Sequence, residues 1–237
     1  MNGKIYLIPV PLADTPHSHV LPDYNLEIVR NIRHFIVENV RSARRFLRKA
    51  DPAFDIDGSS FTVLDRETPP ADVPPMVAPA LEGKDIGIIS EAGCPAIADP
   101  GSALVAVAQK KGIEVIPLVG PSSIIMSLMA SGFNGQSFTF NGYLPIDRTC
   151  RAETIRRLEK LSAAHRQTQI FIETPYRNNA MLRALTETLR PSTLICVAAD
   201  ITGSGQKILT KSAAQWSRQK YDYDKIPAIF LIHVPEN

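Results

Sequence analysis

Residues 85–119 read DIGIISEAGCPAIADPGSALVAVAQKKGIEVIPLV. The run from Ile86 to Ile89 is short and apolar throughout, the pattern of a strand buried on both faces. Glu91, Gly93, Pro95, Asp99, Pro100 and Gly101 then crowd into eleven residues. After them SALVAVAQKK reads as a helix that ends at Lys110, Lys111 and Gly112, the cations and glycine favoured at a helix C-terminus. IEVIPLV (113–119) is a second buried-strand run. A loop at the carboxyl end of a strand in an α/β sheet is the default ligand site, because the crevice of the sheet opens there. Gly93 lets backbone approach a ligand, Pro95 stiffens the turn, and the helix from Ser102 directs its amide dipoles at the loop. The same residues also suit a plain tight connection between strand and helix, and spacing alone weighs the two readings equally.

Outward from this stretch the pattern repeats. KIYLIPV (4–10), HFIVEN (34–39) and FTVL (61–64) are further strand runs, and NLEIVRNIR sets Leu26, Val29 and Ile32 on one helical stripe. Residues 1–118 therefore read as alternating β and α, a first α/β domain. GPSSIIMSLMASGF (120–133) reads as a helix entered through a capping serine. Strands are expected at 137–144, 168–174, 192–200, 206–211 and 227–234, and helices at 148–163, 175–189 and 212–219. The closer strand spacing predicts a mixed sheet in a second α/β domain over 119–237. GSGQK (203–207) precedes a strand and reads as a hairpin turn. TPPADVPPMVAP (68–79), with five prolines, reads as an irregular connector or a helix started and stopped by proline.

Composition narrows the function classes. At 44% hydrophobic and 21% charged the chain is an ordinary globular one, and its net charge of +2 implies no polyanion partner by itself. Cys94, Cys150 and Cys196 lie far apart with no C-x-x-C, which argues against a zinc site or disulfide framework and fits a reducing compartment. The first residues lack a signal-peptide pattern, and no apolar run nears the roughly 18 residues of a membrane span. A cytoplasmic protein with no metal site is expected.

Familiar catalytic fingerprints are missing. No G-x-G-x-x-G follows a strand, and neither a phosphate loop nor G-x-S-x-G occurs. His17 and His19 fall in a loop and read as solvated. Arg41, Arg44, Arg45, Arg48 and Lys49 put charge on one side of a short helix, as Arg148, Arg151, Arg156, Arg157 and Lys160 do more loosely. Such faces meet phosphates, although a solvated face is their commoner role. In IFIETPYR (170–177) a carboxylate ends a strand and an arginine sits in the first turn of the next helix. Arg177 has no helix-dipole reason to be there, so it is expected to pair with Glu173 or to contact a ligand.

Taken together, residues 89–133 resemble the central block of the tetrapyrrole-methylase superfamily. They are closest to its branch that methylates a ribose 2′-hydroxyl of small-subunit ribosomal RNA. The matching residues are Glu91-Ala92-Gly93-Cys94-Pro95, Ala98-Asp99-Pro100-Gly101 and Val119-Gly120-Pro121-Ser122. LIPVPLAD (7–14), VENVRSARRFL (37–47), GYLP (142–145), FIETPYR (171–177) and PAIFLIHV (227–234) are similar to further landmarks. The resemblance implies two α/β domains, each a central sheet flanked by helices, with S-adenosylmethionine in the cleft between them, in a homodimer. It assigns the cofactor to Pro11, Leu12, Ala92, Gly93, Cys94, Pro95, Ile97, Ser122, Ser123, Phe171, Glu173, Ile201 and Ala228. Asp14, Glu38 and Glu91 are the candidate catalytic acids, each also explicable as a cap or turn acid, and Arg41 is a candidate phosphate contact. Leu12-Ala13-Asp14 stands where the RNA branch has Ile-Gly-Asn, and AADITG (198–203) replaces an Arg-Glu-Leu-Thr-Lys run. The cofactor assignment thus rests on more matched residues than the RNA assignment. The expected function is methyl transfer to an RNA ribose, with ribosomal RNA or the small ribosomal subunit as partner. The alternatives are a tetrapyrrole or other small-molecule acceptor, and a non-catalytic cofactor-binding protein.

Overall fold

In the computed structural model, which describes residues 2–235, Ile86–Ile89 is a strand buried along its whole length. The chain divides into two compact units between Ser122 and Ser123.

The first unit runs β1 (Ile5–Ile8), α1 (Asp23–Asn31), β2 (His34–Val37), α2 (Val40–Ala50), β3 (Ser60–Val63), α3 (Ala78–Leu81), β4 (Ile86–Ile89), α4 (Gly101–Lys110) and β5 (Val115–Pro117). Its five strands lie in the order β3-β2-β4-β1-β5, and every pair is parallel. Successive strand residues feed opposite faces. Tyr6, Ile8, Phe35, Val37 and Ile89 pack with Val29, Phe46 and Leu47 on one side. Ile5, Ile36, Ile86 and Ile88 pack with Val77, Leu104 and Ala108 on the other. Helices cover both faces, which is why the strand runs are apolar without alternation. α2 starts where the Asn39 side chain accepts from the Arg41 and Ser42 amides, and it buries Ala43, Phe46 and Leu47. The proline-rich segment forms two 3-10 turns, Pro70–Asp72 and Pro74–Val77, before α3. Proline opens each turn, where its missing N–H is not needed.

The second unit runs α5 (Ser123–Ser131), β6 (Phe138–Tyr143), α6 (Arg148–His165), β7 (Thr168–Ile172), α7 (Asn178–Thr188), β8 (Leu194–Ala199), β9 (Lys207–Ser212), α8 (Ala213–Ser217) and β10 (Ala228–His233). The strand order is β6-β7-β10-β8-β9, with β6–β7 parallel and the other pairs antiparallel. The sheet is mixed, as its sequence spacing predicts, and GSGQK does lead into the second strand of the β8–β9 hairpin. α6 is capped by Asp147 and stopped by Arg166 at φ 50°, and Ser212 with Gln215 forms a capping box on α8. Phe171 and Phe230 lie with near-parallel rings in the core, their centroids 5.9 Å apart.

Candidate active site

The strand order of the first unit contains a switch point, where ligands bind in open α/β sheets as a rule. From β1 the chain crosses over β4 to reach β2, and from β4 it crosses over β1 to reach β5. The loops after these two neighbouring strands therefore leave in opposite directions, which opens a crevice at their carboxyl ends. Val10 and Gly93 line that opening and exchange two backbone hydrogen bonds, of 3.0 and 3.1 Å. Val10 reads as the end of the first strand, yet it leaves the sheet to make this bridge.

The turn after β4 is held tightly. The Ser90 hydroxyl donates to the Gly93 carbonyl at 3.1 Å. Gly93 has φ +72°, and a Cβ there would stand 3.0 Å from Leu12 Cδ2 and 3.2 Å from the Pro121 carbonyl oxygen. The Cys94 thiol donates to that same oxygen at 3.4 Å, and burial raises its pKa, so it stays protonated. The Asp99 carboxylate accepts from the Ala96 amide at 2.8 and 2.9 Å and from the Gly101 amide at 2.8 Å. Ala96 and Ala98 sit at φ 64° and 60°, a region that costs a residue with a Cβ about 1–2 kcal/mol. Backbone strain of this kind concentrates at ligand sites.

The three candidate acids fall in different places. Asp14 and Glu91 line one pocket of about 490 Å³, with Pro11, Leu12, His17, Ser42, Arg45, Phe46 and Lys49 among its other walls. Asp14 accepts from Lys49 Nζ at 2.6 Å, and this hydrogen bond and charge lower its pKa. Glu91 Oε2 accepts from the Ser42 hydroxyl at 3.0 Å. Glu38 instead faces a small void beside Asp99, behind the turn. Its pKa is raised first by burial and then by Asp99, and its carboxylate accepts from the Glu91 amide. Because the folded pKa exceeds the unfolded one, the cost of the charge is absent at low pH, where both states are protonated, and appears as pH rises through the carboxylate range. Glu38→Gln keeps an oxygen for the Glu91 amide. It should therefore raise the melting temperature at pH 8, with the gain vanishing near pH 4; a pH series of thermal unfolding reads this directly.

His17 departs from its sequence reading. It is buried, with its ring 5.1 Å from that of Phe46, and burial followed by the nearby Lys49 lowers its pKa. The basic residues of α2 also part company. Arg45 and Lys49 line the pocket, Arg44 lies over the Phe61 ring, and Arg48 donates to the Pro52 carbonyl. Sequence reasoning missed His17, Arg45 and Lys49 as one group. The available signal was the four-residue step from 45 to 49, which places two cations on one side of a helix.

In the second unit, register gathers residues far apart in the chain. β10 runs antiparallel to both β7 and β8, pairing Ile229 with Ile172 and Ala228 with Ala199. Phe171, Glu173, Ile201 and Ala228 therefore lie at one end of three adjacent strands. The Glu173 side chain is 1% exposed and accepts from Arg177 Nε at 2.9 Å and from the Thr174 amide at 2.7 Å. Its Oε2 is buried with no hydrogen-bond partner. Of the other residues implied by the resemblance, Ile97 projects into solvent, Ser122 ends the first unit and Ser123 begins α5. Among the described residues no three or more His, Cys, Asp or Glu side chains gather as a metal site.

The fold and the turn define a class: a two-unit α/β protein with a crevice beside a strained turn. The crystal structure of the methyltransferase CobJ superposes with TM-score 0.65 over 98% of this chain and 94% of that one, at 14% identity. Uroporphyrin-III-C-methyltransferase from Thermus thermophilus gives 0.55 over 98% and 93%, at 16% identity. A family model described as Tetrapyrrole (Corrin/Porphyrin) Methylases matches residues 26–216, and the chain belongs to that family. It is an S-adenosylmethionine-dependent methyltransferase. Among its relatives is Ribosomal RNA small subunit methyltransferase I of Vibrio cholerae serotype O1 (strain ATCC 39315 / El Tor Inaba N16961), 28% identical over 98% of this chain and 78% of that protein. The protein of the same name from Escherichia coli O157:H7 is 28% identical over 87% and 68%.

Proposed function

We propose that the protein transfers a methyl group to a ribose 2′-hydroxyl of ribosomal RNA in the small subunit. The observation that carries this reading is the pocket beside the strained turn that gathers Asp14, Arg45, Lys49 and Glu91, in a chain whose relatives are named for ribosomal RNA. S-adenosylmethionine supplies an electrophilic methyl group when bound. Pro11, Leu12, the 92–95 turn, Ile97 and Ser122 are the cofactor contacts proposed in the first unit, and Ser123, Phe171, Glu173, Ile201 and Ala228 are those proposed in the second. Two features suit them to that role. Gly93 leaves space that a side chain would fill, and the free oxygen of Glu173 suits a hydroxyl or amine donor.

The chain's own task is to align the acceptor, exclude water and hold a proton. Of the three acids, Glu91 is the proposed proton acceptor, because it lines the pocket and takes a hydrogen bond from the neutral Ser42 hydroxyl, whereas Asp14 is paired with Lys49. Ser42 orients it. Glu38 positions the turn through the Glu91 amide, and Asp14 is the charge partner of Lys49. Glu91→Gln should lower kcat by about 10²-fold with cofactor affinity unchanged, as read by single-turnover transfer and calorimetry. A carboxylated tetrapyrrole, the alternative acceptor, would need a wide apolar wall, whereas here Val10, Pro11, Leu12, Phe46 and Ile89 share the lining with the charged Asp14, Arg45, Lys49 and Glu91.

The test is labelled methyl transfer to small ribosomal subunits and, separately, to a carboxylated porphyrinogen. Label in RNA that protects the neighbouring phosphodiester from alkaline cleavage supports the ribose reading, and label only in the porphyrinogen overturns it. A cytoplasmic location and a homodimer belong to the same proposal. Among the described residues no helix is long and apolar enough to cross a membrane. In the second unit Met129 and Ile146 expose 78% and 72% of their surface. Sedimentation velocity decides the dimer.

A further inference from the structure

The pocket of the first unit has features that cofactor binding does not use. Arg45 and Lys49 stand one helical turn apart on α2 and both reach its wall. Arg45 makes no hydrogen bond or ion pair among the described residues. Lys49 does, but with partners of a particular kind: the Asp14 carboxylate at 2.6 Å and the Thr15 carbonyl at 3.3 Å. The Asp14 side chain is 96% exposed, so it reaches in from solvent rather than from a packed position. An ion pair between exposed side chains contributes little to stability and exchanges readily for a better anion. The third feature is His17. It is only 9% exposed, it lines the same pocket, and its Nδ1 is buried with no hydrogen-bond partner. A buried imidazole nitrogen without a partner costs free energy that an incoming polar group relieves.

We infer that this pocket is the seat of an RNA backbone phosphate beside the acceptor ribose, held by Arg45 and Lys49 against His17, with Asp14 as an internal stand-in that the phosphate displaces from Lys49. The inference rests on the RNA reading above and adds the groups that hold the substrate. A guanidinium and an ammonium one turn apart suit a phosphodiester, whose two non-bridging oxygens share one negative charge and each accept hydrogen bonds. Glu91, held by Ser42 on the same wall, then lies on the side where the sugar would be. Asp14 gives the site selectivity as well as a vacant-state partner. A weakly held anion does not dislodge it, and a phosphate that is part of a bound strand does.

The experiment is fluorescence-anisotropy titration of a short single-stranded oligoribonucleotide, labelled at one end, against the full chain with S-adenosylhomocysteine present, over a salt series. Arg45→Gln and Lys49→Gln should each weaken binding several-fold and reduce the salt slope by about 0.7, the loss of one phosphate contact to a single strand. Asp14→Asn, which frees Lys49, should tighten binding by about threefold or more, equivalent to 0.6 kcal/mol. Arg44→Gln, on the same helix but over Phe61, should bind as the wild type does. Wild-type affinity and slope in Arg45→Gln and Lys49→Gln would overturn the phosphate seat while leaving the RNA reading intact. Equal losses in Arg44→Gln and Arg45→Gln would overturn it too, replacing the pocket with a diffuse basic face. A wild-type protein that binds S-adenosylhomocysteine and no oligoribonucleotide would overturn the RNA reading itself. Thermal unfolding of each variant separates lost contacts from lost fold.

Discussion

Gly93→Arg is expected to abolish S-adenosylmethionine binding while the chain stays folded. The backbone at Gly93 has φ +72°, so any residue with a Cβ pays about 1–2 kcal/mol for the conformation alone. It cannot relax by swinging away, because its N–H and C=O are both tied to Val10 and its carbonyl also accepts from Ser90. A Cβ meets Leu12 Cδ2 at 3.0 Å and the Pro121 carbonyl oxygen at 3.2 Å, both at positions assigned to or next to the cofactor. The longer arginine chain then has only the crevice mouth to enter. A loss of at least about 100-fold in affinity is expected, or 2.7 kcal/mol and more, with Gly93→Ala intermediate. Calorimetric titration beside thermal unfolding measures both quantities. Near wild-type affinity in a folded Gly93→Arg would falsify the placement of the cofactor at this turn.

Much of the order of elements was legible because central strands such as Ile86–Ile89 are apolar on both faces and helices such as α4 carry a stop signal. Lys110-Lys111-Gly112 ends α4 at the predicted place, and Gly112 takes φ +64° there. The mixed sheet of the second unit could be read from strand spacing, and the Glu173–Arg177 pair from an arginine with no helical reason for its position. What could not be read depends on contacts across the sheet. Nothing local to Val10 says that it leaves β1 to bridge Gly93, since an apolar β-branched residue equally suits a strand end. His17 looked solvated because it falls in a loop. Its burial comes from Phe46, twenty-nine residues away on α2. The pocket likewise combines residues from three separate stretches, near 12, 45 and 90, which only the β3-β2-β4-β1-β5 order brings together. The three acids were equivalent as sequence. They separate only through what each side chain meets: Lys49 for Asp14, Ser42 for Glu91, and a buried void with Asp99 for Glu38.

Asp99→Ala should cost more than its position outside the pocket suggests. One carboxylate holds both ends of the loop, taking the Ala96 amide on two oxygens and the Gly101 amide on one. Between those amides lie Ala96 and Ala98 with positive φ, so the loop keeps an unfavourable backbone only while Asp99 pulls it into shape. Alanine leaves two partly buried N–H groups without an acceptor, at roughly 1–3 kcal/mol each, and the loop has a cheaper way out: it relaxes. Relaxation saves stability and loses the turn. The expected result is a drop of about tenfold or more in S-adenosylmethionine affinity, or at least 1.4 kcal/mol, with a smaller fall in melting temperature than the lost bonds alone would give. Asp99→Asn is the decisive companion. Its amide oxygen can accept from the same N–H groups, and it removes a charge that burial already disfavours, as the raised pKa of Asp99 indicates. Asparagine should therefore recover most of the affinity and melt no lower than the wild type at pH 8. Equal damage from alanine and asparagine would mean that the charge itself, not the hydrogen-bonded shape of the loop, serves the cofactor.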